Sequence, residues 1–297
     1  PYLPQDKGIE DAAIYGGRHG YETLQRFIGS CCDYLKDDGI ILIVFSSRTN
    51  KQRVDEIVEA NCLEFEELQQ KHIFFETLYA YLIRKSQLLL QLRQHGIKNV
   101  ILFEKGNRGL IYKGSYKGKT VAVKAKRKES AAVATIENEI NWLKKLNKEG
   151  IGPKLLFAEK EWFSYEFVDG MFITDFIASC NDRKAVSGVI EQMLLQCRKL
   201  DVLKVNKEEM LRPQKHVLVN DKGKITMLDF ERCRKTQKPK NVTQLCQFLA
   251  GNYANSILRQ KGIIVNREKL LAAAKEYKHS QNEENFKRIR KAVLEAD

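Results

Sequence analysis

The sequence predicts two units in tandem: residues 1–85 as the closing half of a doubly wound α/β sheet, and residues 86–297 as a two-lobed α+β domain. The small lobe is expected over about 97–168 and the large lobe over about 169–297. Three observations predict this. An apolar run, Ile40–Phe45, is framed by amphipathic segments. A glycine-punctuated stretch, Phe103–Lys126, delivers Lys124 at the end of Val121-Ala122-Val123. The charge also changes near Lys85: residues 1–85 carry 10 Lys and Arg against 14 Asp and Glu, so the +13 of the whole chain rests on residues 86–297, at +17. That asymmetry makes the second unit the candidate for a polyanionic partner.

In the first unit, Gly20–Leu35 is predicted as a helix with Leu24, Phe27, Ile28 and Leu35 on its apolar face, stopped at Asp37-Asp38-Gly39. Ile40–Phe45, apolar throughout, is expected to be covered on both faces in a parallel sheet. Lys51–Ala60 is a second helix, and Leu63–Leu68 and Leu78–Arg84 are two closing strands. Opening strands are lacking, so a fragment with its upstream part missing is expected at Pro1. No run of 18 apolar residues exists, so no membrane span is expected. Seven cysteines without a Cys-x-x-Cys pair argue against a disulfide framework and a zinc site, and are read as reduced thiols in a cytoplasm.

In the second unit, Ser86–Gly96 is a short amphipathic helix leading into two strands and the start of a third. Gly106 and Gly109 are placed in the first turn, and Gly114 and Gly118 in the second. Glycines let a turn approach a phosphate closely, and a lysine one strand on reaches the same phosphates as a point charge. A helix over Ser130–Lys148 offers Glu139, with Glu137 as runner-up, as a carboxylate to fix Lys124. Trp162–Val168 reads as a strand ended by Asp169-Gly170. Val186–Leu200 is a long helix for the core of the large lobe. A hairpin closed by Asp221-Lys222-Gly223 then ends on Asp229. The tail is helical over Glu268–Tyr277 and Glu283–Ala296, the last helix carrying Lys287, Arg288, Arg290 and Lys291 on one face.

Two resemblances sharpen these expectations. Pro1-Tyr2-Leu3-Pro4 looks like the remainder of an Asn-Pro-Pro-Tyr motif. With Gly16-Gly17-Arg18-His19-Gly20, Ser46-Ser47 and Phe75-Glu76-Thr77-Leu78-Tyr79 it resembles the end of a class I (Rossmann-like) S-adenosylmethionine-dependent methyltransferase, of the archaeal peptide-release-factor glutamine type. The resemblance covers about 85 residues and implies that Pro1 and Tyr2 are what remains of the site for the target amide. It places the S-adenosylmethionine loop upstream of Pro1, so methyl transfer is not expected of this chain as given.

The order of glycine loop, Lys124, Glu139, Trp162–Val168 and Asp229 resembles the protein-kinase-like fold over about 150 residues. The compact atypical kinases of RIO and KEOPS type, and a family of predicted archaeal serine/threonine kinases, are nearest in style. The resemblance implies ATP and Mg2+ as cofactors, a protein Ser/Thr hydroxyl as substrate, phosphate contacts at Gly106, Gly109 and Lys124, and adenine contacts from the backbone of Glu166 and Val168. His216, 13 residues before Asp229, stands where such kinases carry a metal-binding Asn; His216 and Asp229 are thus the implied metal ligands. Counting five residues back from His216 gives Leu211, which cannot orient a hydroxyl. A two-residue insertion assigns that role to Glu209. Lys215 is a further candidate for a γ-phosphate, and Glu231 replaces the Gly of an Asp-Phe-Gly segment. Two alternatives stay open: a pseudokinase that binds ATP as a switch or scaffold, and a basic module meeting RNA or the ribosome. The sequence leaves the oligomeric state undetermined.

Overall fold

Why do the apolar runs of this chain end up in such different surroundings? The computed structural model describes residues 2–5, 13–106, 109–127 and 133–294, and these form two compact units, Pro1–Lys128 and Glu129–Asp297. The composition boundary at Lys85 falls inside the first unit, at the end of a strand, and the expected small lobe has strands in each unit. The sheets are antiparallel, in a mixed α/β setting. No described helix is long and apolar enough to cross a membrane.

The first unit begins with α1 (Glu22–Cys31), β1 (Ile40–Ser46), α2 (Lys51–Ala60), β2 (Leu63–Ile73) and β3 (Glu76–Lys85). α2 matches the predicted span because Asn50, at φ +66°, caps it by accepting from Arg53 N. α1 is shorter than predicted. Ile28 is buried in it, whereas Phe27, one residue round the helix, is 46% exposed. β2 and β3 form the expected hairpin, and β3 is the middle strand of the order β1-β3-β2.

The expectation for β1 is corrected. It pairs antiparallel with β3, from Ile40 opposite Arg84 to Ser46 opposite Leu78, and it is an edge strand. Ile40, Leu42 and Val44 are 56%, 65% and 57% exposed, while Phe45 on the alternate face is fully buried. An unbroken apolar run signals two buried faces only when both are covered. Here one face lacks a cover among the described residues.

α3 (Gln87–Gln94), capped by Ser86 accepting from Leu89 N, leads into the meander β4 (Lys98–Lys105), β5 (Gly109–Tyr116) and β6 (Lys119–Lys126). Lys117 and Gly118, at φ +48° and +75°, close the second turn. Gly114 does not lie in that turn. It sits within β5 opposite Val121, where a Cβ would come within 2.8 Å of Ile97 Cγ2.

The second unit contains α4 (Val133–Leu146), β7 (Leu155–Ala158), β8 (Trp162–Glu166), β9 (Met171–Phe172), α5 (Ile173–Ser179) and α6 (Arg183–Val202). There follow β10 (Val205–Asn206), β11 (Val217–Val219), β12 (Ile225–Met227), β13 (Arg234–Lys235), α7 (Asn241–Ala250), α8 (Asn252–Gln260), α9 (Arg267–His279) and α10 (Glu283–Leu294). The predicted start of α4 at Ser130 and end of α10 at Ala296 lie outside the described residues. α6 is the axis of this unit: Val186, Val189, Ile190, Met193, Leu194, Cys197 and Leu200 form a buried stripe against the helices that follow. β11 sits between β12 and β9, and β10 pairs with β13.

Candidate active site

The second unit assembles its polar centre from the segment after α6 and from the hairpin β11–β12. Asp201, in the last turn of α6, continues the buried stripe and is 0% exposed. Burial raises its carboxyl above the usual carboxylate range, and hydrogen bonds from Asn241 pull it back. Asp201 Oδ1 accepts from Asn241 N (3.0 Å) and Nδ2 (2.7 Å), and Oδ2 from Tyr277 OH (3.1 Å). Asn241 in turn donates to Val205 O (2.6 Å) and accepts from Lys207 N (2.8 Å). This network fixes the backbone just ahead of the candidate base.

Lys207 is fully buried. Its ammonium donates to Glu209 Oε2 at 3.2 Å and to the backbone carbonyl of Asp229 at 2.5 Å, and it stands 4.8 Å from the centre of the Phe230 ring. One cation thus ties the segment bearing Glu209 to the segment bearing Asp229. The Glu209 side chain is 9% exposed. Desolvation pushes its carboxyl upward and Asp229 adds to this, against the pull of Lys207. A carboxylate so placed is a stronger base than one in water. Leu211, 46% exposed, carries no group for that task.

Asp229 stands two residues beyond the end of β12. Its φ of +63° is left-handed, an uncommon conformation for a residue other than glycine. Three bonds hold it there: its carbonyl accepts from Lys207, Phe230 N donates to Glu139 Oε1 at 3.1 Å, and Leu228 N donates to His216 O at 2.8 Å. Strain of this kind persists where the surroundings over-determine the backbone, and it gathers at functional sites. His216 Nδ1 lies 3.6 Å from Asp229 Oδ2, so the two implied metal ligands are brought together. Lys215 is exposed beside His216. Glu231 is largely buried, with its carboxylate 3.8 Å from Arg232 Nε, and Asn138 Nδ2 donates to its carbonyl at 2.7 Å.

Glu139, rather than Glu137, is the inward carboxylate of α4. Glu139 is 3% exposed and Glu137 is exposed. The structure shows Glu139 on the Phe230 amide, a contact that the sequence reading did not foresee. The predicted strand Trp162–Val168 is shorter in the structure: β8 ends at Glu166, so Val168 lies beyond it, and the Glu166 N–H donates to Lys154 O at 2.9 Å. Its carboxylate pairs with Lys154 at 3.1 Å.

In the first unit, Gly106 N donates to Gly109 O at 3.0 Å. A Cβ on Gly109 would stand 3.0 Å from Ala125 O and 3.8 Å from Lys124 Cε, so this glycine leaves room for the lysine stem. Lys124 lies on β6 opposite Ile111. The quoted methyltransferase residues also converge, although Pro1 lies outside the described residues. Tyr2 O accepts from Thr49 Oγ1 at 2.6 Å, a Cβ on Gly20 would meet Tyr2 O at 2.7 Å, Ser46 Oγ donates to Glu76, and Thr77 N donates to Ser47 Oγ at 3.0 Å.

Sequence reasoning missed Lys207 and Asp201. Asp201 was legible as a carboxylate four residues beyond Cys197, on the apolar stripe of α6. Lys207 carried no comparable signal, being one of 51 Lys and Arg.

No family model matches the chain, and no curated protein does. Among solved structures, the chain is similar to the Rio2 kinase–ADP/Mg2+–phosphoaspartate complex from Chaetomium thermophilum, at 14% identity and a TM-score of 0.42, over 81% of this chain and 83% of that one. It is also similar to the E. cuniculi Mtq2–Trm112 complex responsible for methylation of the eRF1 translation termination factor, at 24% identity and a TM-score of 0.24. That likeness covers 29% of this chain and 47% of the other, so the chain spans about half the length of that protein.

Proposed function

We propose that the chain is an atypical kinase that transfers the γ-phosphoryl group of ATP to a Ser or Thr hydroxyl of a protein. In this reading it is joined to the closing segment of a release-factor-type glutamine N5-methyltransferase, inactive as given. The observation that carries the reading is the buried Lys207 ammonium, bonded at once to Glu209 and to the Asp229 carbonyl. The acceptor hydroxyl oxygen forms the bond to the γ-phosphorus as the bridging bond to ADP breaks, and Glu209 takes the hydroxyl proton. Lys124 is assigned to the phosphates, and Glu139 to holding the Asp229-Phe230 peptide in its left-handed geometry.

The donor set fits magnesium at one point. Mg2+ is commonly held by one or two carboxylates together with phosphate oxygens and water, and Asp229 supplies such a carboxylate. The His216 imidazole beside it suits a softer divalent ion better. A bound magnesium ion would neutralise phosphate charge. The seven free cysteines fit a reducing cytoplasm.

A second reading, nucleotide binding without transfer, draws on the same ion pair, because Lys207 occupies one oxygen of Glu209. Calorimetry of the full chain with ATP and magnesium tests the shared part. Binding is expected for the wild type, weakened at least about tenfold in Lys124→Ala and made magnesium-independent in Asp229→Ala. Absence of any nucleotide binding contradicts both readings.

A further inference from the structure

Downstream of Asp229 the chain enters a segment, 232–240, with five Lys or Arg and no Asp or Glu. Arg232, Arg234, Lys235, Lys238 and Lys240 are all exposed. The segment is not a loose loop. β13 pairs with β10, setting Arg234 opposite Asn206 and Lys235 opposite Val205. Thr236 N donates to Lys204 O at 2.9 Å, and Lys240 N donates to Asn206 Oδ1 at 2.7 Å. Its backbone is therefore anchored along the strand that runs, one residue later, into Lys207 and then Glu209. Arg234 pairs with Glu208 at 2.8 Å and Arg232 lies 3.8 Å from Glu231, whereas Lys235, Lys238 and Lys240 have no ion pair among the described residues. By contrast, two of the cations on α10 are answered: Arg288 by Glu284 at 2.6 Å, and Arg290 by Glu191. Three cations of this strip are thus unanswered among the described residues, on a backbone ordered beside the segment that bears the candidate base.

We infer that this strip selects the substrate: the hydroxyl that Glu209 serves belongs to a protein segment carrying Asp or Glu within a few residues of the acceptor. The inference deepens the kinase reading and rests on it for the transfer step. An extended chain advances about 3.3 Å per residue, so acidic side chains a few positions from the hydroxyl come within reach of an ordered strip of this length. Spaced cations complement spaced carboxylates and set register and partner choice more than bulk affinity. Single-stranded nucleic acid is the weaker fit, because residues 232–240 hold no aromatic side chain on which a base would stack.

The test uses the full chain and two serine peptides that differ only in flanking residues, one Glu-rich and one Lys-rich. Anisotropy reads peptide binding without nucleotide, and labelled ATP reads transfer. The Glu-flanked peptide is expected to bind at least about tenfold tighter, an advantage that fades as salt rises toward 0.5 M or above, by about the screening expected for exposed charges. In the double variant Lys235→Glu, Lys238→Glu the preference collapses and KM for the acidic peptide rises, with peptide-independent ATP turnover unchanged. The pair Lys235→Gln, Lys238→Gln, with its melting temperature checked, guards against a folding defect and should give an intermediate loss. Equal binding of the two peptides, or an unchanged preference in the variants, overturns the inference. So does an RNA duplex that binds the strip more tightly than the acidic peptide and displaces it. Discrimination by charge without any phosphoryl transfer leaves the docking strip standing and removes the kinase reading instead.

Discussion

Strand β1 and helix α6 carry comparable apolar runs and meet opposite fates. In α6, the stripe from Val186 to Leu200 is buried throughout, and even Asp201 at its end is fully enclosed. In β1, every second side chain of Ile40-Ile41-Leu42-Ile43-Val44 stands out, with Leu42 65% exposed. The apolar character is the same, and what differs is the cover. α7, α9 and α10 supply it for α6, because the buried faces of those helices join the same core. Among the described residues nothing supplies it on the outer face of β1. Hydrophobicity reports what a segment is able to bury, and topology decides whether it does.

The largest expected effect comes from the buried charge of the second unit. Lys207→Ala leaves Glu209 without its cation in a desolvated position, and a loss of about 3–5 kcal/mol in urea denaturation of the full chain is expected. An unchanged midpoint would show that the pair is solvated and that the burial contrast is misjudged. The core stripe comes next. Leu194→Ala, at a fully buried position, should cost about 2–5 kcal/mol.

Asp201 sharpens the same contrast through pH. Burial raises its folded-state pKa above the unfolded value, so protons favour the folded state. Its contribution is fully present below the unfolded pKa and declines as pH rises through the raised folded pKa. The stability advantage of wild type over Asp201→Asn should therefore be greatest in acid and shrink toward neutrality. Denaturation series from about pH 4 to pH 7 would show it, the interval starting near the ordinary Asp value. A pH-independent difference would mean that hydrogen bonding alone decides. The smallest effect is expected at Leu42→Ala, within about 0.5 kcal/mol, because that side chain is already in water. A loss of 2 kcal/mol or more, about the cost of a core truncation, would erase the contrast.

Periodicity made the helices legible. α2 was read to the residue, and α6, α9 and the start of α10 were recognised from their apolar stripes. The hairpin β11–β12 was legible because Asp221-Lys222-Gly223 separates two short apolar runs, with Gly223 at φ +70°. The exposure of β1 was not legible, since an apolar run does not record whether its second face is covered. Of the candidate site, Asp229, His216 and Glu139 were read from motif order, and Glu209 by counting. Lys207 was hidden because a lysine reads as surface until the carbonyl and carboxylate that surround it are placed in space, and those lie 22 residues downstream and two residues on. The contact of Glu139 with the Phe230 amide spans 91 residues of sequence, and no local pattern announces it.

The most direct test is single-turnover phosphate transfer by the full chain with ATP and magnesium, comparing wild type with Glu209→Gln. The amide keeps the shape and a hydrogen bond to Lys207 but cannot accept the proton. Glu209 as the base predicts retained nucleotide affinity and a rate lower by about 10²–10⁴-fold. Equal rates in the two proteins, or a wild type that binds ATP and never turns it over, would contradict that assignment.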